Sequence, residues 1–281
     1  MSDRDGHTGK GGKIFEAEDV RPFSGRGRYQ SVYDVIVELP FYCHAMDLHM
    51  QWIRSIDTAH PLIIDAGGGS GIMSVAARRV RPDADVYLFD VNPAMADQAR
   101  NHGLPDDKIV IADITDMSVE RAAVLDPRLR ALLGDNAADS SRARLKDETV
   151  DHILSHSVVW ALERPSGFFA EAWRVLRRRG TLAVSTVGEN MKCYRQHFLD
   201  YLDEHLSAAV QRGSISLEQK RIFLEGNQCL TEVAKSPLSA SELRELGEEQ
   251  GFAVEAVADC YVVDTPDGPR PYFYQILYRK T

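Results

Sequence analysis

The residues best suited to chemistry lie in Ile63-Ile64-Asp65-Ala66-Gly67-Gly68-Gly69-Ser70-Gly71-Ile72, an apolar run that breaks into glycines. It predicts a strand, a tight turn and then a helix. Glycine lets the backbone turn and approach a ligand, while the helix start offers free N–H groups and a partial positive charge to an anion. That arrangement implies a nucleotide-like cofactor. The third small residue of a dinucleotide fingerprint, counted from Gly67 and Gly69, falls on bulky Ile72. Asp65 would repel a pyrophosphate and complement an ammonium group. A cofactor bearing an amino acid presents ammonium to Asp65 and carboxylate to the helix end, so the charges suit S-adenosylmethionine better than NAD.

Two further acids stand where strands should end. Asp90, nineteen residues after Gly71, follows Tyr87-Leu88-Phe89 and can accept both hydroxyls of a ribose. Asp113 can accept from an adenine amino group, with Ile114 and Val91 as apolar walls for the ring. Helix capping is the alternative role for such acids. His156, just beyond a fourth strand, is the candidate base or substrate-orienting donor, with packing as its alternative. Trp160 either lines the same opening or packs in the core. Tyr29 and Tyr33, one helical turn apart, either cover cofactor and substrate or form a packing stripe. Tyr194 and His197 are candidates for meeting the substrate. His44 and His49 lack the spacing to share a metal, and no metal is expected.

These residues need an alternating frame to hold them. Strands are predicted at Leu62–Ala66, Val86–Asp90, Lys108–Ala112, Val150–Ser155 and Thr181–Val187, with helices at Ile72–Arg79, Pro93–Asn101 and Phe168–Arg178 between them. Alternation of this kind means right-handed crossovers and a parallel sheet. Tyr29–Ile56 reads as a helical cap broken at Pro40. Thr115–Thr149 is a long connection, part helical between Val119 and Leu133, and Arg177-Arg178-Arg179 is expected on a helix end closed by Gly180. Glu189–Pro237, helical around Tyr194–Val210 and Leu217–Leu230, reads as a lid. A helix over Ala240–Gln250, capped by Ser239 and Glu242, precedes a hairpin of Ala253–Val263 and Arg270–Tyr278 around Thr265-Pro266-Asp267-Gly268.

At 281 residues the chain suits one elaborated domain over residues 14–281 behind a flexible tail, Met1–Lys13, with the cap at about 28–58 and the lid at about 189–237. A net charge of −9 argues against a broad nucleic-acid surface. Cys43, Cys193, Cys229 and Cys260 lie too far apart for a zinc knuckle or disulfide framework. No apolar run is long enough to span a bilayer and no leader is evident, so a cytoplasmic protein without membrane contact is expected, as a monomer or a homo-oligomer.

The run from Asp65 to Gly71, then Asp90, Asp113, the segment Val150-Asp151-His152-Ile153-Leu154-Ser155-His156 and Phe168–Gly180 resemble the class I S-adenosylmethionine-dependent methyltransferases, small-molecule branch. The resemblance covers about Leu62–Val187 and the final hairpin. It implies an α/β, Rossmann-like, doubly wound sheet of seven strands, mostly parallel with an antiparallel C-terminal strand. It also implies that Asp65, Gly67 and Gly69 contact the methionine part, Asp90 the ribose, Asp113 and Ile114 the adenine, and that Ser155 lines the site through its backbone. The Arg177-Arg178-Arg179 turn and the long Thr115–Thr149 stretch depart from the family pattern. The activity expected is methyl transfer to an oxygen, nitrogen or carbon atom of a small molecule, in bacterial specialised metabolism. A methyltransferase of protein or RNA, or a non-methylating protein that keeps the fold, are the alternatives.

Overall fold

Leu62–Ala66 carries a single polar residue and is buried at every position, as befits a central parallel strand covered on both faces. It is β1 of a computed structural model that describes residues 29–135, 141–233, 237–266 and 268–281. The predicted tail and Asp267 of the terminal turn lie outside those residues, as does the side chain of Cys229. Before β1 come a 3₁₀ segment, Gln30–Glu38, and helix α1, Pro40–Arg54. Leu39 between them is extended and Pro40 opens α1, where a missing N–H costs least.

After β1 the chain continues through α2 (Ile72–Val80), β2 (Asp85–Asp90), α3 (Pro93–Asn101) and β3 (Ile109–Asp113). Then follow β4 (Ser118–Glu120), α4 (Pro127–Ala131), β5 (Leu133–Asp135) and β6 (Arg142–Leu145), and next β7 (Val150–His156), α5 (Pro165–Val175) and β8 (Leu176–Val187). Short α6 (Asn190–Cys193) leads to α7 (Arg195–Gln211) and α8 (Leu217–Val233). The described chain closes with α9 (Ala240–Glu249), β9 (Phe252–Thr265) and β10 (Gly268–Lys280). Spatially the strands run β5-β6-β4-β3-β2-β1-β7-β8-β10-β9. β1 pairs in parallel with both β2 and β7, from which the order diverges to either side. Such a switch point opens a crevice beyond the strands' carboxyl ends.

The described sheet therefore has ten strands, not seven. The extra three, β4, β5 and β6, form an antiparallel strip on the edge of β3, from the stretch expected to be part helical. Arg142-Ala143-Arg144-Leu145 alternates between outward and buried positions, the period of a strand. Among the described residues of this stretch, helix is confined to a 3₁₀ turn at Arg121–Ala123 and to α4, where the Asp126 carboxylate accepts from the Arg128 and Leu129 amides and Pro127 occupies the first turn.

The arginine triplet is also placed differently. Helix α5 stops at Val175 because Leu176 is already extended, and Arg177–Gly180 bulge out of β8 between the pairs Val150–Leu176 and His152–Thr181. The bulge lets Arg177 reach the buried Asp151 at 2.8 Å. The capping box on α9 has the predicted partners, with the Ser239 amide donating to Glu242 at 2.7 Å and the Glu242 amide to Ser239 at 3.2 Å.

Apolar packing follows the layers. Phe168 and Phe169 of α5 and Leu243 of α9 cover one face with Tyr274 and Tyr278 of β10, while Met50 and Ile53 of α1 and Met73 of α2 cover the other against Ile63 and Val86. A separate cluster, in which Phe41, Phe198, Phe223 and Phe273 are buried, joins the 3₁₀ segment, α1, α7 and α8 to the end of β10. It forms the roof of the crevice.

Candidate active site

The glycine loop leaves β1 in conformations that side chains resist: φ is 76° at Gly67, 53° at Gly69 and 80° at Gly71. A Cβ on Gly67 would stand 2.5 Å from Val158 Cγ2, so the turn is set by close approach as well as by φ. The Gly67 amide donates to Phe89 O at 2.7 Å and the Gly69 amide to Asp90 Oδ2 at 2.9 Å, which ties the loop to the end of β2. The other Asp90 oxygen accepts from the Asn92 amide at 2.8 Å. Burial pushes this carboxyl above its ordinary range, and the backbone amides partly hold it down. Each oxygen keeps a lone pair for a hydroxyl.

A cavity of about 230 Å³ opens beside the loop. Its lower wall is Gly67, Gly69, Asp90, Val91, Asn92, Met95, Ala112 and Ile114; its roof includes Tyr29, Tyr33, Phe41, Met191, Phe198 and Phe273. His156, Ser157, Val158 and Trp160 form the side at the end of β7. The lining is mostly apolar, as in pockets that bury a small ligand. The Trp160 indole donates to Ser157 O at 2.8 Å and so presents a ring to the cavity. Tyr29 lies edge-on to Tyr33 and stacked on Phe223, and burial raises both tyrosine phenols, leaving them protonated.

Of the residues expected at the site, Gly67, Gly69, Asp90, Val91, Ile114, His156, Trp160, Tyr29 and Tyr33 meet here; Asp65, Asp113, Ser155, Tyr194 and His197 do not line the cavity. Asp65 is buried under the loop and accepts from the Ser74 hydroxyl at 2.7 Å; desolvation raises its carboxyl to about 7, the state of a core acid. Asp113 accepts from the Thr115 amide at 2.8 Å and its hydroxyl at 2.7 Å, closing the turn after β3. The Ser155 hydroxyl donates to Ala66 O at 3.0 Å and pins β7 to β1. Tyr194 packs edge-on to His197, 5.9 Å between ring centres. Met95, Phe41, Phe198, Phe273 and Asn227 line the cavity and had no motif to single them out.

His156 is held from several sides. Its Nδ1 lies 2.6 Å from Ser185 Oγ, opposite it in the β7–β8 register, and that hydroxyl lies 2.9 Å from Nε2 of His49 on α1. Tyr42 meets the ring edge-on at 4.5 Å. The next residue, Ser157, takes φ 59°, a strained value for a serine, and its amide donates to Ser185 O at 2.7 Å. His156 Nε2 is buried and has no partner among the described residues. Burial lowers the His156 imidazole to about 3, and lowers His49 as well, so both are neutral near pH 7. Among the described residues no three His, Cys, Asp or Glu side chains gather as a metal site, and no helix is long and apolar enough to cross a membrane.

Comparison with known proteins bears on the same region. The sequence profile of a family described as "Methyltransferase domain" matches residues 58–231. The malonyl-[acyl-carrier protein] O-methyltransferase of Laribacter hongkongensis is 24% identical over 254 residues, which is 84% of this chain and 79% of that protein. Among solved structures, a chain of the complex between the Haloferax volcanii Trm112 methyltransferase activator and its methyltransferase superposes with a TM-score of 0.56 at 16% identity, covering 95% of this chain and 99% of that one. An S-adenosylmethionine-dependent methyltransferase from Thermotoga maritima gives 0.53 at 15% identity, covering 95% and 100%. At such identities the structural likeness concerns the fold.

Proposed function

The chain belongs to the methyltransferase family whose domain spans residues 58–231, its methyl donor is S-adenosylmethionine, and on that premise we propose that the acceptor is a small molecule held in the cavity beside Gly67 and Asp90. The carrying observation is the cavity itself, apolar on most sides and roofed by the 3₁₀ segment, α6, α7 and α8, with His156, whose Nε2 is buried and unpartnered among the described residues, in its lining. A compact, partly apolar acceptor fits such a space better than a polymer segment does.

The residues present fit the donor. Left-handed glycines bring backbone close without side-chain obstruction. The N-cap residue of α2, Gly71, makes no side-chain cap, and of the first-turn amides that of Ser74 is engaged by Asp65. Asp90 can accept from ribose hydroxyls, and Val91, Met95 and Ile114 offer flat apolar flanks for a base. The bound donor supplies an electrophilic methyl group on a sulfonium. Tyr29 and Tyr33 bring aromatic rings, which favour a cation, to the cavity lining. Positioning an acceptor in line within this enclosure accounts for much of the rate.

Calorimetric titration with S-adenosylhomocysteine, followed by incubation with methyl-labelled donor and a panel of small acids, phenols and amines, tests the proposal. Saturable binding and label on a small acceptor are expected. Label only on added protein or RNA would replace the reading with that of a macromolecule methyltransferase, and binding without transfer to any acceptor would favour a non-methylating role.

A further inference from the structure

His49 and Ser185 belong to no motif, yet they determine which nitrogen of His156 carries its proton. The hydroxyl of Ser185 sits between two imidazoles, His156 Nδ1 at 2.6 Å and His49 Nε2 at 2.9 Å, and has one proton to donate. With the hydroxyl proton directed at one of the two imidazoles, so that it is not itself left without an acceptor, two arrangements exist for neutral rings. In the first, His156 Nδ1–H donates to Ser185, which donates to His49 Nε2; His49 must then carry a proton on Nδ1. In the second, His49 Nε2–H donates to Ser185, which donates to His156 Nδ1; His156 then carries its proton on Nε2.

The buried atoms outside the chain decide between them. His49 Nδ1 is buried with no partner among the described residues, as is His156 Nε2, but only His156 lines the cavity. The first arrangement strands an N–H on His49 where no ligand can reach it. An orphaned buried donor is rarer in folded proteins than an under-used acceptor, and leaving one costs about 1–3 kcal/mol. The second leaves His49 with a bare lone pair and puts the free N–H on the ring that lines the cavity.

We infer that His49 and Ser185 are positioning residues that hold His156 neutral with its proton on Nε2, so that it serves as a hydrogen-bond donor to an acceptor oxygen that is already anionic, a phenolate or a carboxylate. The inference rests on the proposed methyl transfer to a small molecule and narrows its substrate class. A ring in this tautomer has no lone pair to offer as a base. Of the other titratable groups lining the cavity, Tyr29 and Tyr33 stay protonated, and Asp90, tied to the glycine loop and the Asn92 amide, has its remaining lone pairs assigned to the ribose.

An anionic oxygen needs no base. Its lone pair forms the new C–O bond while the methyl–sulfur bond breaks and its electrons go to sulfur. The sulfonium becomes a neutral thioether, the oxygen becomes that of a neutral ether or ester, and no proton moves. Opposite charges are consumed together, and an apolar enclosure favours their attraction over that in water. The His156 Nε2–H orients the oxygen.

The test begins with nitrogen–proton correlation spectra of the full chain labelled on its histidine nitrogens, with His156 assigned by its loss in His156→Gln. A proton on Nε2 and a bare Nδ1, unchanged from pH 7.5 to 5.5, is expected; a proton on Nδ1, or conversion to imidazolium in that range, overturns the inference. This measurement needs no cofactor, so it stands apart from S-adenosylhomocysteine binding, whose failure would instead sink the proposed function. The second arm titrates the protein, saturated with S-adenosylhomocysteine, with 4-nitrophenol by absorbance and with benzoate by calorimetry. Tighter binding of one probe assigns the anion class. His156→Gln, which keeps a donor and cannot act as a base, should hold affinity for the preferred anion within about threefold, while His156→Phe should lose about tenfold or more, the worth of one hydrogen bond to a charged group. Ser185→Ala should weaken the anion similarly while S-adenosylhomocysteine still binds. Equal losses in His156→Gln and His156→Phe, or equal binding of uncharged anisole, overturn it.

Discussion

Replacing Gly67 by alanine tests whether the cofactor loop is shaped by sterics, and Gly103→Ala provides the control. Both glycines have φ well into the left-handed region, 76° and 87°. A Cβ at Gly103 meets nothing within 4 Å, whereas at Gly67 it stands 2.5 Å and 2.8 Å from the two methyls of Val158. Gly103→Ala should therefore cost only the backbone term, about 1–2 kcal/mol for an L-residue in that region. Gly67→Ala should cost the same plus about 1–3 kcal/mol of overpacking, about 2–5 kcal/mol together. If the loop relaxes instead of the whole fold, the excess of about 1–3 kcal/mol appears as a roughly 5- to 150-fold loss of S-adenosylhomocysteine affinity. Urea unfolding and calorimetric titration measure the two components. Adding Val158→Ala to Gly67→Ala should recover the overpacking part and leave the backbone part. Equal effects of Gly67→Ala and Gly103→Ala on both readouts, or no recovery in the double variant, would refute the assignment of the loop's shape to contact with Val158.

Three further outcomes follow from packing and charge. Asp65, whose carboxyl burial raises to about 7, binds a proton in the folded state that the unfolded chain releases near 4, so its contribution to stability falls as pH rises through that window. His152 and His156, lowered to about 3, act the other way, their stabilisation being complete above about 6.5 and lost on acidification. Asp65→Asn should raise the urea midpoint at pH 8 and leave it nearly unchanged at pH 4, steepening the acid loss by about one proton, or about 1.4 kcal/mol per pH unit; an unchanged pH profile would contradict the burial of Asp65. Gly226→Ala on α8 would set a methyl 2.1 Å from the Tyr29 ring and should lift the roof, raising KM for acceptor more than it lowers thermal stability; unaltered kinetics would show that the roof does not bear on the site. Arg177→Ala leaves the buried Asp151 carboxylate with the Leu62 amide at 2.7 Å and should destabilise by about 1–3 kcal/mol without altering cofactor affinity; a neutral result by urea unfolding would mean that the pair is spent on solvation.

The loop side of the cavity was legible because its residues are close in sequence. Gly67, Gly69 and Asp90 lie within one strand-turn-helix unit and the end of its neighbour, and the chain's own spacing brings them to one edge. The same logic placed Asp65 and Asp113 at the site, and neither lines the cavity. Sequence places both at strand ends but carries no sign of the Ser74 and Thr115 hydroxyls that claim them. The three added strands were missed for a related reason: Arg142-Ala143-Arg144-Leu145 is too short to outweigh its charges until β4 offers an edge to pair with. The arginine triplet was read as a helix end because nothing local announces that Leu176 is extended or that Asp151 waits opposite the bulge.

Much of the roof was not legible, and the reason is geometric. Phe41, Phe198, Asn227 and Phe273 come from four separate segments, and apolar residues at helical spacing serve a core and a pocket equally well. His49 shows the limit most clearly. Its neighbours along α1 say nothing of its role, because its partners are Ser185 and, through it, His156, both more than a hundred residues away. What identifies the group is a count of protons among buried atoms: one hydroxyl between two rings, one ring that lines the cavity and one that does not. The inferred role of His156 thus turns on which of the two rings lines the cavity, a property that exists only after α1, β7 and β8 have packed.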